Sequence, residues 1–125
     1  MLISREKQEE SGEITMSFGH AIARARKARG LSQKQLAAKI LKEDGRPISA
    51  QYLNDIERDR RNAPGAALIE QFARVLKVSE DYLYFLAGEI PPKDIRTAPD
   101  DPKQIEAAFL AFRKAYRRTA GDKNK

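Results

Sequence analysis

The sequence predicts an all-α protein: five short helices followed by a sixth, amphipathic one. Apolar residues recur three and four apart in the segments between breaks. Serines stand at positions 17, 32, 49 and 79, where a hydroxyl oxygen can accept from the free N–H groups of a first helical turn. Glycine or proline separates most of the segments, and no stretch reads convincingly as a strand.

Met1 to Thr15 carries charge, one glycine and no sustained period, so residues 1–16 read as a disordered tail. The first helix starts with Ser17 as N-cap and runs to about Arg29. Phe18, Ile22 and Ala25 form its apolar stripe, and Gly30 closes it in the left-handed conformation. Ser32 opens the second helix, and Gln35 three residues on makes a capping-box pattern. Leu36, Ala37 and Ile40 face inward. Asp44-Gly45 is a turn signal and Pro47 disfavours helix at Arg46, which leaves the second helix room for one more turn into Leu41 and Lys42.

Ser49 caps the third helix, which ends near Arg58 to Arg60. It buries Leu53 and Ile56 and turns Ala50, Gln51, Asn54 and Asp55 outward. A helix with so few apolar residues is built to present side chains. After the break at Asn62-Ala63-Pro64-Gly65, the fourth helix runs from about Ala66 to Leu76, with Leu68, Ile69, Phe72, Val75 and Leu76 on its buried side. Ser79 caps the fifth, where Glu80 and Asp81 suit the positive end of the dipole. Tyr82, Leu83, Phe85 and Leu86 supply its packing surface, and Gly88 ends it. Residues 91–101, with Pro91, Pro92 and Pro99, read as a linker. Asp101 is an N-cap with Pro102 at the first position of the last helix, residues 102–119. That helix carries Ile105, Phe109, Phe112 and Tyr116 as an apolar stripe, with Arg113, Lys114, Arg117 and Arg118 among and after them. Residues 120–125 are expected to fray.

Composition narrows the function. The chain has 125 residues, the length of one domain, and no cysteine. A disulfide framework, a cysteine zinc site and thiol chemistry are therefore excluded, which fits a reducing compartment. No apolar run approaches the roughly 20 residues of a membrane span. The polar, acidic start, Met1 to Glu13, is not a signal peptide. A cytoplasmic protein is expected. Net charge is +6, and it is unevenly placed. Residues 17–62 hold eleven basic and five acidic groups, and residues 100–125 hold seven and four. Such local excess is either the footprint of a nucleic-acid binder or an ordinary solvated surface.

In order along the chain, these residues resemble the Cro and phage-repressor (XRE) class of helix-turn-helix DNA-binding domains. Phe18-Gly19, Arg26 and Arg29-Gly30-Leu31-Ser32-Gln33 resemble its first helix and the entry to the second. Leu36-Ala37 resembles the pair whose small alanine lets the two motif helices approach. Tyr52 to Asn62 resembles the recognition helix and its exit, and Phe72 to Leu83 the fourth helix and the start of the fifth. The resemblance implies a five-helix, lambda-repressor-like domain over residues 17–90, with the C-terminal amphipathic helix added. Two departures stand out. The Leu41–Pro47 turn is several residues longer than the family's, and the Asn62–Gly65 exit is also slightly longer.

The resemblance implies that Gln33, with nearby backbone N–H groups, holds a DNA phosphate. Among the outward residues of the third helix, Gln51 suits a bidentate contact to adenine, and Asn54 can do the same or reach a phosphate. Ala50 is small enough to touch a thymine methyl. Asp55 needs a cytosine amino group or a local arginine. Tyr52 has two compatible readings, a ring packed at the core edge and a hydroxyl that reaches the DNA backbone, since tyrosine has an apolar body and a polar tip. Lys34, Ser49, Arg58, Arg60 and Arg61 are phosphate candidates, joined by Lys42 and Arg46 from the long turn. Arg26 and Glu57 are implied to form a structural ion pair. His20 reads as a surface residue.

The leading function is sequence-specific binding of double-stranded DNA by a transcriptional regulator, most simply a repressor acting as a homodimer on a palindromic operator. The alternative is an antitoxin-like or phage-type regulator whose last helix, through Ile105, Phe109, Phe112 and Tyr116, engages another protein. That stripe can also fold back on the fourth and fifth helices. No enzymatic activity, cofactor, metal or membrane partner is expected, because the chain offers no supported nucleophile, base or phosphate-cradling loop.

Overall fold

The computed structural model describes residues 16–123, with side chains as far as residue 119. The tail expected at the N-terminus thus lies, apart from Met16, outside the described residues, as do residues 124–125. The chain divides into two compact units, Met1–Pro91 and Pro92–Lys125.

The first unit holds five helices: α1 (Phe18–Ala28), α2 (Gln33–Ala38), α3 (Ala50–Glu57), α4 (Ala66–Leu76) and α5 (Glu80–Ala87). The four serines act as N-caps. Each Oγ accepts a backbone N–H three residues on, from His20, Gln35, Tyr52 and Tyr82 respectively. Gln35 also returns its side-chain oxygen to the N–H of Ser32, completing the capping box. Gly30 and Gly88 sit in the left-handed region, at φ 70° and 73°, and terminate α1 and α5.

The core draws on all five helices. Ile22, Leu36, Ile40, Leu53, Ile69 and Phe72 are fully buried, and the rings of Phe18 and Phe72 meet edge to face at 6.4 Å. Ala37 is buried where α2 packs on α3. Gly19 is buried where α1 meets the end of α3. A Cβ there would collide with the carbonyl oxygen of Ile56 and stand 2.9 Å from that of Glu57. Only glycine lets the two backbones approach this closely.

Three local expectations are corrected. The second helix does not extend into Leu41 and Lys42. It ends at Ala38, and the chain then forms a narrow hairpin with one isolated bridge between Leu41 and Pro47. In α5, Leu83 and Tyr84 are buried, whereas Tyr82 and Phe85 are 44% and 48% exposed. The run Tyr82–Leu86 is apolar on every side, so its pattern carries no phase, and the neighbouring α1 and α4 decide which face goes inward. The third helix stops at Glu57, because Asp59 takes a left-handed conformation at φ 58°.

The second unit contains α6 (Pro92–Arg96) and α7 (Pro102–Lys123). The stretch read as a linker, residues 91–101, includes a short helix opened by Pro92, whose missing N–H and fixed φ suit a first helical position. Asp101 caps α7, its Oδ1 accepting the N–H of Lys103 at 3.0 Å. The helix continues through the residues expected to fray, as far as Lys123. Phe109, Phe112 and Tyr116 are exposed, and the last two rings stack at 5.9 Å. No helix among the described residues is long and apolar enough to cross a membrane.

Candidate nucleic-acid interface

The outer face of α3 is built from its cap upward. Ser49 starts the helix, Leu53 and Ile56 fasten it to the core, Glu57 is buried at its end, and Tyr52 packs at the core edge. Ala50 and Gln51 are exposed, while Tyr52, Asn54 and Asp55 are half-buried. Ser49 Oγ accepts from the N–H of Tyr52, which leaves its hydroxyl proton available to an anion.

One network ties three helices together beneath this face. Arg26 of α1 donates from Nε to Glu57 Oε2 at 2.7 Å and from Nη2 to Glu57 Oε1 at 3.0 Å. Its Nη1 donates to the carbonyl of Leu31 at 2.7 Å, just before α2. Both side chains are nearly enclosed, at 11% and 4% exposure. Burying two charges is costly, and here a two-pronged fork and a further carbonyl offset the lost water. Removing either partner would strand the other, at a cost of about 3 kcal/mol.

Gln33, at the first position of α2, extends the network. Its Nε2 donates to Glu57 Oε1 at 2.9 Å and to Asn54 Oδ1 at 3.1 Å. Both amide protons are thereby used within the protein. Arg58 Nε approaches the same Asn54 oxygen at 3.4 Å. Gln51 Nε2 donates to Asp55 Oδ1 at 3.0 Å, one turn further along the helix. Asp55 also lies 3.7 Å from Arg60 Nη1. Its carboxylate therefore has the local arginine partner that sequence reasoning demanded as one of two options.

Three arginines, Arg58, Arg60 and Arg61, adjoin this polar strip. Arg61 places its guanidinium 4.6 Å from the centre of the Tyr52 ring, a cation–π contact that holds both in place. Tyr52 packs against the core, so its ring takes the first of its two readings. Its tip remains available for the second. Lys34, Arg58 and Arg60 are exposed. Lys42 and Arg46 lie in the hairpin, and Arg46 stands 4.0 Å from Asp44 in a solvent-exposed pair that contributes little. The hairpin itself carries Lys42 and Arg46 against Glu43 and Asp44, so it adds no net charge.

Asp59 is a residue that sequence reasoning missed. Its Oδ1 accepts the N–H of Gly19 at 3.2 Å and its Oδ2 accepts from Ser17 Oγ at 2.8 Å. The carboxylate thus sits at the positive end of α1 and anchors it to the exit of α3. His20, 3.9 Å from the same carboxylate, belongs to this junction. The unexplained glycine after Phe18 was the available signal that another backbone comes close here.

Ile105 is half-buried, while Phe109, Phe112 and Tyr116 are 43%, 51% and 54% exposed along α7.

Comparison with known proteins adds two findings. The helix-turn-helix family model matches residues 22–83, which takes in α1 from Ile22 to the middle of α5. A solved structure of a SinR protein/SinI protein complex is similar at 28% sequence identity, over 82% of this chain and 98% of that one, with a TM-score of 0.46. No curated protein matches the chain.

Proposed function

Residues 22–83 belong to the XRE-type helix-turn-helix family of DNA-binding transcriptional regulators, and from that premise we propose a cytoplasmic repressor that binds a palindromic operator as a homodimer. The observation that carries the reading is the outer face of α3. Two amide side chains, Gln51 and Asn54, stand there on hydrogen-bonded supports, with Arg58, Arg60 and Arg61 against the same helix and Lys34 exposed on α2. Amides read base edges, and cations neutralise phosphates.

In this reading α3 lies in the major groove. Gln51 keeps its carbonyl oxygen and one N–H for adenine, and Ala50 meets a thymine methyl. Asp55 braces Gln51 and Arg60. Ser49, Tyr52, Lys34, Arg58, Arg60 and Arg61 hold phosphates, with Lys42 and Arg46 reaching from the hairpin. Gln33 contributes its backbone N–H at the start of α2. The stripe of Ile105, Phe109, Phe112 and Tyr116 pairs two subunits, which suits a two-fold operator. A second reading assigns the same stripe to a different protein, and its exposed aromatic rings favour an intermolecular role of one kind or the other.

Duplexes selected from a random library by the purified chain supply the test ligand. Fluorescence anisotropy at physiological salt should give at least about a thousandfold preference over scrambled duplex. Gln51→Ala should cost about 1–3 kcal/mol on the selected duplex only. Equal affinity for both duplexes sinks the reading. Light scattering on the free chain separates a homodimer from a monomer awaiting a partner.

A further inference from the structure

We infer that Gln33 is a positioning residue that makes Asn54 a donor-only reader, so that the base facing Asn54 is guanine and cytosine is rejected. This rests on the DNA-binding reading above and specifies one contact within it.

The orientation of the two amides follows from a chain of forced choices. Glu57 is held in a bidentate pair by Arg26, so its carboxylate is ionised and can only accept. The Gln33 atom facing Glu57 Oε1 must therefore be the nitrogen. That nitrogen also faces Asn54, so the Asn54 atom it meets must be the oxygen. Arg58 Nε, a donor without acceptor capacity, approaches that same atom at 3.4 Å. Oδ1 thus accepts from two donors, as many as it has lone pairs. Asn54 Nδ2 is turned away from the network and has no partner among the described residues.

An amide in this state is unlike a free one. A free asparagine pairs with adenine by accepting from N6 and donating to N7. Asn54 has no oxygen left for N6. It offers two N–H groups on one nitrogen. Guanine presents two acceptors side by side, N7 and O6. Adenine and thymine each present one, and cytosine presents only the N4 donor group. Guanine is the best match, and cytosine would bring two donors together. Gln51 differs: only one of its N–H groups is engaged, by Asp55, so adenine remains open to it. The two reading amides on α3 therefore carry different base preferences, although they are chemically alike. Gln33 produces that difference without touching a base.

Selection from a random duplex library, with the full chain and two variants, tests this. The native chain should show one column per half-site in which guanine exceeds cytosine by about tenfold or more. Asn54→Asp keeps an inward oxygen for Gln33 and turns an acceptor outward, so the same column should move to cytosine. Gln33→Ala releases the Asn54 amide, so adenine should rise to within about threefold of guanine in that column, while the Gln51 column holds. Circular dichroism melts establish that each variant folds. If Gln33→Ala does not fold, Asn54→Asp decides alone, because its side chain faces solvent on one side. A native column fixed on adenine, an Asn54→Asp column that stays put, or an equal loss over all columns in Gln33→Ala overturns the inference while sequence-specific binding stands. A native chain that enriches no sequence overturns both.

Discussion

The backbone N–H of Ile48 donates to the carbonyl of Ile40 at 2.9 Å. Both side chains are buried, at 4% and 0% exposure. The long turn between the motif helices therefore leaves the core and returns to it at one place. Above that closure, the Lys42 N–H meets the Arg46 carbonyl at 2.7 Å, and Gly45 makes the reversal at φ 85°. Gln71 of α4 grips Leu41 from the side, its amide donating to the Leu41 carbonyl and accepting its N–H, both at 2.7 Å. The turn is thus an excursion on a closed base.

Removing the excursion should therefore leave the domain intact. Replacement of Lys42–Arg46 by Asn-Gly, a pair suited to a tight hairpin turn, is expected to cost less than about 1 kcal/mol. Thermal unfolding should stay cooperative, with Tm shifted by less than about 8 °C. A melt that broadens or falls much further would mean that the hairpin supports the packing of α2 on α3.

Gly19 is expected to tolerate no side chain. In Gly19→Ala the new methyl meets two backbone carbonyls, of Ile56 and Glu57, and Asp59 Oδ1 at 2.6 Å, and carbonyls of a helix end cannot swing aside. Overpacking of this kind costs about 3 kcal/mol. Urea unfolding followed by circular dichroism checks it. An unchanged midpoint would show that α1 can slide along α3 without penalty.

Tyr84 makes stability depend on alkaline pH. Burial at 1% exposure, with the Glu70 carboxylate 3.2 Å from its hydroxyl, pushes its pKa up from 10.0 to about 12. An unfolded chain loses this proton near pH 10.0 and the folded chain keeps it to about 12. Its contribution is thus complete below pH 10.0 and is lost as pH rises to about 12. The urea midpoint of the native chain should fall over that window by more than that of Tyr84→Phe, which should lose about 1 kcal/mol at neutral pH with the missing hydrogen bond. Parallel curves for the two proteins would remove Tyr84 as the cause.

Local signals were legible in the chain. Four serine caps, the Gln35 capping box and the left-handed glycines at 30 and 88 depend on neighbours within one turn, and each stands where the sequence placed it. Apolar spacing was sufficient for α1 to α4, whose faces differ in polarity. It failed in α5, where Tyr82 to Leu86 offer no polar side to set a phase, and buried Tyr84 was overlooked. The exposure of Ala50 and Gln51 on α3 was also readable, because so few of its residues are apolar.

The sequence by itself determined where helices begin, which of them carry the core and which face offers amides and cations, since these follow from residue type and spacing along one segment. Only the tertiary structure decided what those groups are free to do. Asn54 and Gln51 are alike in a sequence, yet Gln33, 21 residues from Asn54, takes up the oxygen of one and leaves that of the other. Asp59, 42 residues from Ser17, caps a helix it does not belong to. Hydrogen-bond capacity is exhausted by partners from other helices, and spacing along one helix carries no trace of them.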